Sequence, residues 1–185
     1  MAEESRKLDV GCGARKLDGF VGLDYRPFPG VDVVFDLNSG RSWPFADGTF
    51  TSIRAIHIIE HLHDTLHFFA EAHRVASNGA TLHIETPHYS SRDSWIDPTH
   101  VKHFSLFFTD QIVDGSLLPN TRYELIQRRL SFGSAIKTLP QRLWVAIFGL
   151  QSYERFCAWR WPARNIKLDL RIVKQWAPEP LPVAE

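Results

Sequence analysis

Two glycines follow a short apolar run near the start of the 185-residue chain. Leu8 to Val10 predicts a buried strand, and Gly11 and Gly13 after it form a Gly-x-Gly turn. Glycine has no Cβ and adopts positive φ readily, so backbone N–H groups in such a turn can approach a ligand closely. The next apolar run ends at Asp24, whose carboxylate can accept hydrogen bonds from a ribose diol. This layout is typical of a nucleoside-binding site.

The dinucleotide fingerprint G-x-G-x-x-G/A does not fit this turn. The fingerprint needs a small residue at the position that Lys16 occupies. The acid follows Gly11 by 13 positions (24 − 11), whereas a dinucleotide site has its acid about 20 positions on. These two mismatches argue against NAD, and a purely structural turn is the alternative to a ligand site.

A second group of reactive side chains lies in the polar segment 86–104, which contains His88, Asp97, His100 and His103. Because this segment follows a predicted strand, we expect it to overlie the ligand pocket. Histidine accepts a proton near neutral pH, so His100 or His103 is the candidate general base and Asp97 would orient it. Two alternatives stay open: Asp97, His100 and His88 could bind a divalent metal, or the segment could cap a helix that begins near its Asp-Pro pair.

His57 and His61 belong to an H-x-x-E-H pattern, the zinc-protease signature in inverted order. That chemistry needs both histidines on one face of a helix. Residues 52–59 are β-branched and apolar, however, so the pair would be divided between a strand and a helix. We therefore expect no zinc protease site here.

The elements that must position these residues follow the order of an open α/β sheet. A helix is predicted over 60–75, stopped by Asn78-Gly79, and strands are predicted over 8–10, 20–23, 31–35, 51–59, 81–85, 123–132 and 166–176. Asp24, Asp36, His57 and His88 each come where a strand ends. Ligands in open α/β sheets bind beyond the carboxyl ends of the strands, so these four residues are expected to converge.

Length and charge limit the class of protein. The chain has the length of one domain, taken as 1–185, and 21 basic residues balance 21 acidic ones, which gives no global reason to expect a nucleic-acid partner. Two cysteines form neither a disulfide framework nor a metal spacing, and the polar start of the chain has no apolar signal region. We therefore expect a cytoplasmic protein.

The C-terminal third has a different composition. Between residues 128 and 174 there are ten Lys or Arg and two acids. We interpret 136–165 as an aromatic and basic helical insertion, with two helices broken at Gly149 and ended at Pro162, in a core formed by about 7–132 and 166–176. The insertion could be a lid over the substrate pocket, or an amphipathic surface that contacts a membrane or a protein partner.

Several sequence pieces together resemble the class I S-adenosylmethionine-dependent methyltransferases, in particular a short subgroup of the type 11 kind. In chain order the pieces are LDVGCG (8–13), GLD (22–24), DL (36–37), WPFADGTF (43–50), HIIEHL (57–62) and EAHRV (71–75). The resemblance implies S-adenosylmethionine as cofactor and a Rossmann-like open sheet, mostly parallel with an antiparallel last strand and helices on both faces. Three features depart from the family pattern: Arg15 replaces a third glycine, SNGA replaces a Lys-Pro-Gly-Gly turn at 77–80, and the first helix is nearly absent.

The resemblance also implies roles for individual residues. The glycine turn would bound the loop under the methionine part of the cofactor, Asp24 would hold the ribose hydroxyls, Asp36 and Leu37 would border the adenine, and His57 would face cofactor or substrate. The implied cofactor-binding residues are Asp9, Gly11, Gly13, Asp24, Asp36, Leu37 and His57.

The function that we predict is transfer of a methyl group to an oxygen or nitrogen of a small-molecule, sugar or lipid acceptor. One alternative is a non-catalytic binding protein that keeps the nucleoside fold and docks on a membrane or partner through residues 136–165. A metal hydrolase that uses the histidines is a third class. No residue in the sequence selects the acceptor.

Overall fold

The computed structural model describes residues 6–133 and 138–174. Its strands are β1 Lys7–Val10, β2 Val21–Asp24, β3 Val33–Val34, β4 Phe50–Ile56, β5 Ala76–Pro87, β6 Arg122–Ser131 and β7 Asn165–Val173. Its α-helices are α1 Thr65–Val75, α2 Asp110–Val113 and α3 Leu139–Phe156, and short 3-10 turns cover Leu37–Ser39, Ile59–His61 and Arg92–Ser94.

The seven strands form one mixed sheet in the order β3-β2-β1-β4-β5-β7-β6. Strands β1 to β5 pair in parallel, and β7 runs antiparallel to both of its neighbours, β5 and β6. This is the predicted Rossmann-like sheet with an antiparallel last strand, and the fold class is confirmed. Because β7 is reversed, its first residues lie at the same edge of the sheet as the carboxyl ends of β4 and β5.

Alternating apolar side chains explain why β7 can enter the middle of the sheet. Ile166, Leu168, Leu170 and Ile172 are all fully buried, so one face of the strand packs against the core along its whole length. Helix α1 supplies the core with a buried stripe that includes Phe69. The apolar periodicity therefore accounts for both the strand and the helix.

Several predicted boundaries differ from the structure, among them the start of α1 and the end of β4. Helix α1 begins at Thr65 rather than near residue 60, because Asp64 caps it by accepting a hydrogen bond from the His67 N–H at 2.9 Å. The predicted end at Val75 is correct, but Asn78-Gly79 does not cause it: Ala76 is already extended and, as the first residue of β5, pairs with Phe50 of β4. Strand β4 ends at Ile56, three residues before the predicted end, because the backbone of the following histidine has φ 53°.

The connection between β1 and β2 contains no helix, as the sequence indicated. Its backbone N–H groups are instead satisfied by the strands around it. Gly11 N–H and Cys12 N–H both donate to the Leu23 carbonyl, at 2.7 and 3.3 Å, and Leu17 N–H donates to the Asp9 carboxylate at 3.1 Å. The connection is thereby held close against the end of β2.

A second connection, between residues 43 and 50, is held by Arg74 of α1. Its guanidinium group donates to the Trp43 carbonyl at 2.9 Å, to the Phe45 carbonyl at 2.8 Å and to the Asp47 carboxylate at 2.7 Å. The Glu71 carboxylate fixes the same guanidinium group at 2.7 Å and accepts the Trp43 N–H at 2.5 Å. Two of the sequence pieces that resemble the methyltransferases therefore form one structural tether.

Helix α3 is interrupted at Gly149, where φ is 81° and ψ is 170°, as the sequence predicted. It ends at Phe156 rather than at Pro162, because Cys157 leaves helical geometry and Tyr153 packs with Phe132 in a separate small core. Residues 136 and 137 of the predicted insertion and residues 175 and 176 of the predicted last strand lie outside the described residues, and Lys174 follows the end of β7. Among the described helices, none is both long and apolar enough to span a membrane.

Candidate functional site

A cleft of about 620 Å³ opens where β1, β2 and β4 end. Five of the seven predicted cofactor residues line it, namely Gly11, Asp24, Asp36, Leu37 and His57. The other two, Asp9 and Gly13, are not among the lining residues. The strand order changes direction between β1 and β4, which is the position where open α/β sheets bind ligands.

Gly11 is required at its position for two reasons. Its φ of 66° lies in the left-handed region, and a Cβ atom there would come within 2.5 Å of the Ile58 side chain. Gly13 also has positive φ, at 55°, but a Cβ would meet no atom within 4 Å. The first glycine thus allows the turn to close against Ile58, which also lines the cleft.

Asp24 is almost fully buried, yet no cationic side chain contacts its carboxylate among the contacts described. One oxygen accepts the Gly13 N–H at 2.8 Å and the other accepts the Arg26 N–H at 3.0 Å. A carboxylate oxygen has two lone pairs, so each oxygen can accept one more hydrogen bond from the cleft. This is the arrangement that a ribose diol needs.

Asp9 has a supporting position instead. Its carboxylate accepts the Leu17 N–H at 3.1 Å and forms an ion pair with Arg54 at 2.9 Å. These contacts fix the loop that follows β1, and Asp9 is not among the residues that line the cleft. Asp9 therefore shapes the turn, and the structure gives it no exposed oxygen for a ligand, since the residue is about 2% exposed.

The far wall of the cleft is mostly apolar. Asp36 caps the 3-10 turn Leu37–Ser39 by accepting the Asn38 N–H at 2.9 Å. Phe35, Leu37 and Leu62 line the same wall, which suits a flat aromatic ring. Together, the carboxylate floor and the apolar wall fit the two ends of a nucleoside.

His57 is the one non-glycine residue with positive φ in the part of the chain that the structure describes. Such a backbone costs energy and marks sites where side-chain placement matters. Nδ1 of its ring lies 3.2 Å from Oε1 of Glu60. This hydrogen bond raises the pKa of His57 above its ordinary value, and partial burial of the ring opposes the rise. The negative charges of Glu60, Glu85 and Asp93 raise the pKa further.

Glu60 connects three parts of the site, and sequence reasoning missed it. Its other carboxylate oxygen accepts the Thr86 hydroxyl at 2.9 Å, and its backbone carbonyl accepts the N–H groups of Val101 and Lys102 at 2.9 and 3.2 Å. The residue is about 1% exposed. The sequence contains one signal for Glu60, because it is the acid of the H-x-x-E-H pattern, but that pattern indicates a metal site rather than this role.

The two histidines of that pattern do not act together. His57 follows β4, whereas His61 ends the 3-10 turn and its Nδ1 lies 3.0 Å from the Thr99 hydroxyl. Possible ligand atoms of Glu60, His61 and His100 do lie within 4.8 Å of one another. Each of these side chains already has hydrogen-bond partners within the protein, so we assign no metal to the group.

The predicted base and its partner lie beside the cleft rather than in its lining. His100 has Nδ1 3.0 Å from the Ser94 carbonyl, and its Nε2 is 4.0 Å from Asp97, whose carboxylate accepts the Thr99 N–H and hydroxyl. His103 stacks on Trp95 with ring centroids 3.7 Å apart. The segment does overlie the cleft, but it presents Thr99 and Val101 to it.

Neither of the two alternative interpretations of this segment matches the geometry. His88 is fully buried between Ser90, at 2.8 Å, and Glu154, at 3.1 Å, so the structure does not bring it together with Asp97 and His100 as a metal site. The alternative in which the segment caps a helix near Pro98 is wrong, because none of the described helices begins there. Asp97 caps a single turn, in which its carboxylate accepts the Thr99 N–H.

Part of the chain resembles known methyltransferases in sequence. Residues 23–84 match the type 11 family model described as a methyltransferase domain. Ajmaline N-methyltransferase of Rauvolfia serpentina is 44% identical over 99 residues, an alignment that covers 42% of this chain and 34% of that protein. The chain thus spans about a third of the length of this curated relative.

Solved structures resemble nearly the whole chain. An S-adenosylmethionine-dependent methyltransferase from Mesorhizobium loti has a TM-score of 0.59 at 13% identity, covering 92% of this chain and 93% of that one. A second such methyltransferase, from Archaeoglobus fulgidus, has a TM-score of 0.56 at 18% identity, and the match covers 91% of this chain and 87% of that one. The cyclase SpnF also matches, with a TM-score of 0.56, 16% identity, and 91% and 74% covered. At these identities the likeness shows the fold, and the reaction has to be argued from the site.

Proposed function

We propose that this chain transfers a methyl group from S-adenosylmethionine to an oxygen or nitrogen of a small-molecule acceptor, because residues 23–84 match a methyltransferase family model and the fold resembles that of S-adenosylmethionine-dependent methyltransferases. The observation that carries the proposal is the cleft in which the Gly11 turn and the Asp24 carboxylate meet at the switch point of the sheet. A nucleoside cofactor needs both features. The matched methyltransferase model indicates that this cofactor is S-adenosylmethionine.

The residues present fit this cofactor. Asp24 would accept hydrogen bonds from the ribose hydroxyls, Leu37 would border the adenine, and the turn at Gly11 would leave room for the methionine part. When bound, S-adenosylmethionine supplies an electrophilic methyl group on a sulfonium. The chain would contribute enclosure and alignment of the reactants, which can provide most of the rate acceleration in such a reaction.

His57 is the group that we propose for the proton that the acceptor loses. It lines the cleft, it is oriented by Glu60, and its pKa is raised, which makes it a better proton acceptor. The prediction that His100 or His103 acts as the base, with Asp97 as its partner, stays a prediction. Geometry favours His57 because His100 and His103 bond to Ser94 beside the cleft.

Calorimetric titration with S-adenosylhomocysteine tests the cofactor assignment. We expect saturable binding by the wild-type chain, no binding of NADH, and a loss of about 10- to 100-fold in affinity for Asp24→Ala, because a hydrogen bond to a charged group contributes about 1.5–3 kcal/mol. Asp114→Ala is the matched control, since this carboxylate caps a distant turn at Ser116. Equal affinity of Asp24→Ala and wild type, with both folded, would overturn the assignment.

A second candidate function is favoured by the exposed surface of the α3 region. Large apolar side chains are more than half exposed at Leu139, Leu143, Ile147, Phe148, Phe156 and Trp159. Residues 138–164 also carry four arginines and one acid, Glu154. An apolar surface with arginines beside it fits the interface of an anionic membrane, so the second candidate is a binding protein that keeps the nucleoside fold and docks there without catalysis.

Vesicle sedimentation separates the two candidates. Docking predicts that the chain sediments with vesicles containing phosphatidylserine, and that Ile147→Asp releases it whereas Leu117→Asp, an exposed leucine on another surface, does not. Transfer of tritium from labelled S-adenosylmethionine into a metabolite extract, lost in His57→Asn, would support the enzyme. Vesicle binding with no transfer to any fraction would favour the binding protein.

A further inference from the structure

A second cleft, of about 490 Å³, lies at the same edge of the sheet as the cofactor cleft. Its walls come from the end of β6, the start of β7 and the first turn of α3. Four cationic side chains line it, namely Arg129, Arg142, Arg164 and Lys167. Glu85 is the one carboxylate among the lining residues. None of the candidate functional residues of the sequence lies in it.

The acids around this cleft leave much of its positive charge available. Lys167 pairs with Glu85 at 2.9 Å, Arg164 with Asp93 at 3.2 Å, and Arg129 with Asp169 at 3.5 Å. The Arg164–Asp93 pair is exposed and Arg129 is about half exposed, and ion pairs in contact with solvent are weak and easily exchanged. A guanidinium group has five N–H donors, so one contact with a carboxylate leaves most of them free for another anion.

Arg142 contributes a charge whose described contact is neutral. Its Nε atom donates to the Thr138 hydroxyl at 3.2 Å. The first turn of α3 thereby contributes a planar, multi-donor cation to the lining of the cleft. Paired N–H donors on several arginines match the oxygens of a phosphate group better than a single ammonium does.

The floor of the cleft adjoins the cofactor site through Asn165. Its Nδ2 atom donates to Glu85 at 2.6 Å and lies 3.5 Å from Nε2 of His57. Its Oδ1 atom is buried without a hydrogen-bond partner among the described residues. An unsatisfied buried acceptor is costly, and a ligand O–H or N–H donor at this point would stabilise it.

We propose that this cleft binds the methyl acceptor and holds its phosphate group through Arg129, Arg142, Arg164 and Lys167, so that the acceptor is a phosphorylated compound. The inference rests on the proposed methyl transfer and names the acceptor class for it. The phosphate would lie among the cations while a hydroxyl or amine of the same molecule reaches Asn165 and His57. The reversed direction of β7 makes this arrangement, because it brings Asn165 and Lys167 to the edge where His57 lies.

Calorimetric titration of the full chain with pyrophosphate and with inorganic phosphate tests the proposal without any turnover. We expect saturable one-to-one binding of pyrophosphate, weakened about tenfold or more in Arg142→Gln and in Arg164→Gln, and weakened less in Arg142→Lys. Arg171→Gln is the matched control, because it removes one exposed arginine of β7 outside the cleft, where Glu124 lies 3.5 Å away. Its affinity should stay within about twofold of wild type.

Two results would overturn the proposal: no saturable binding, or equal losses in Arg142→Gln and Arg171→Gln, which would indicate a diffuse effect of net charge. S-adenosylhomocysteine affinity, measured on the same samples, keeps the two proposals apart. If the homocysteine compound binds and pyrophosphate does not, the acceptor class is wrong and the cofactor assignment stands. If pyrophosphate binds and the homocysteine compound does not, the cleft is an anion site and the methyl transfer fails.

The phosphate could belong to a lipid headgroup or to a water-soluble compound, and competition separates these sources. Vesicles containing phosphatidic acid and a soluble sugar phosphate would each be tested as competitors of pyrophosphate. Displacement by vesicles alone identifies a lipid acceptor, and displacement by the sugar phosphate alone identifies a soluble one. Failure of both to displace pyrophosphate would contradict the proposal that the cleft holds a phosphorylated acceptor.

Discussion

Nε2 of His57 lies 3.5 Å from Nδ2 of Asn165, although 108 positions separate the two residues in the chain. His57 lines the cleft of the cofactor candidate residues, and Asn165 lines the basic cleft beyond it. The pair is therefore the boundary between the two clefts. A proton acceptor is most useful at such a boundary, because the acceptor hydroxyl or amine must meet the methyl donor there.

The first prediction compares the two glycines of the turn. Gly11→Ala should weaken S-adenosylhomocysteine binding strongly and lower the melting temperature, because its Cβ would come within 2.5 Å of Ile58 at a φ of 66°. Gly13→Ala carries only the backbone strain, about 1 kcal/mol, since no atom lies within 4 Å of its Cβ. Equal effects in calorimetry and thermal melting would show that contact with Ile58 does not matter.

The second prediction separates the candidate bases. His57→Asn should lower kcat by about 10²–10⁴-fold, the usual contribution of general base catalysis, with little change in S-adenosylhomocysteine affinity. His100→Asn should change kcat far less, because its ring contacts Ser94 and His61 rather than lining the cleft. Single-turnover kinetics with an identified acceptor would measure both. The reverse order of effects would restore His100 as the base.

The third prediction concerns pH. A base must be unprotonated, so kcat/KM should rise with pH, and the midpoint should lie above the ordinary histidine value of 6.5 because the Glu60 hydrogen bond raises the pKa of His57. Glu60→Gln removes the charge that favours the protonated ring, so the midpoint should move down towards 6.5. A pH profile of both proteins measures the shift. An unchanged midpoint in Glu60→Gln would assign the titration to another group.

The fourth prediction concerns acid stability through Glu71. Burial opposes ionisation of this carboxyl, but the hydrogen bonds from Arg74 and the Trp43 N–H outweigh it, so its pKa lies below 4.5. The folded state therefore binds this proton less readily than the unfolded state, and the stabilisation present above pH 4.5 is lost as pH falls through the folded pKa. Glu71→Gln should lower the free energy of unfolding at pH 7 by about 1–3 kcal/mol.

Urea denaturation at a series of pH values checks this. The difference between wild type and Glu71→Gln should shrink in acid, because the wild-type carboxyl becomes neutral as well. Glu124→Gln serves as the control, since its carboxylate is about half exposed and its ion pair is with Arg171, which is exposed as well. A constant difference across the series would contradict the role assigned to the charge of Glu71.

The sequence predicted the features that depend on neighbouring residues. Apolar and β-branched runs located all seven strands, and the residues directly after those runs located Gly11, Asp24 and His57. The direction of a side chain outside the strands depends instead on how its loop folds and on contacts from elsewhere in the chain. His100 points to Ser94, and Glu60 contacts Thr86 across 26 positions, so the sequence did not reveal either relationship.

The basic cleft could not be predicted from the sequence either. The sequence showed an excess of positive charge between residues 128 and 174. Which of those charges share one cleft depends on the pairing of Arg129 and Lys167 across β6 and β7 and on the start of α3. Composition records the number of charges, and only the register of the strands decides which of them meet.

The position of β7 between β5 and β6 has a consequence for synthesis of the protein. Strand β6 is translated first, yet its only neighbour in the described sheet is β7, which follows it in the chain. A nascent chain can therefore assemble β1 to β5 and the Asp24 side of the cofactor cleft while β6 still has no partner. The basic cleft would form only when β7 leaves the ribosome. We expect a ribosome-bound chain to recognise the nucleoside before it can recognise anything else.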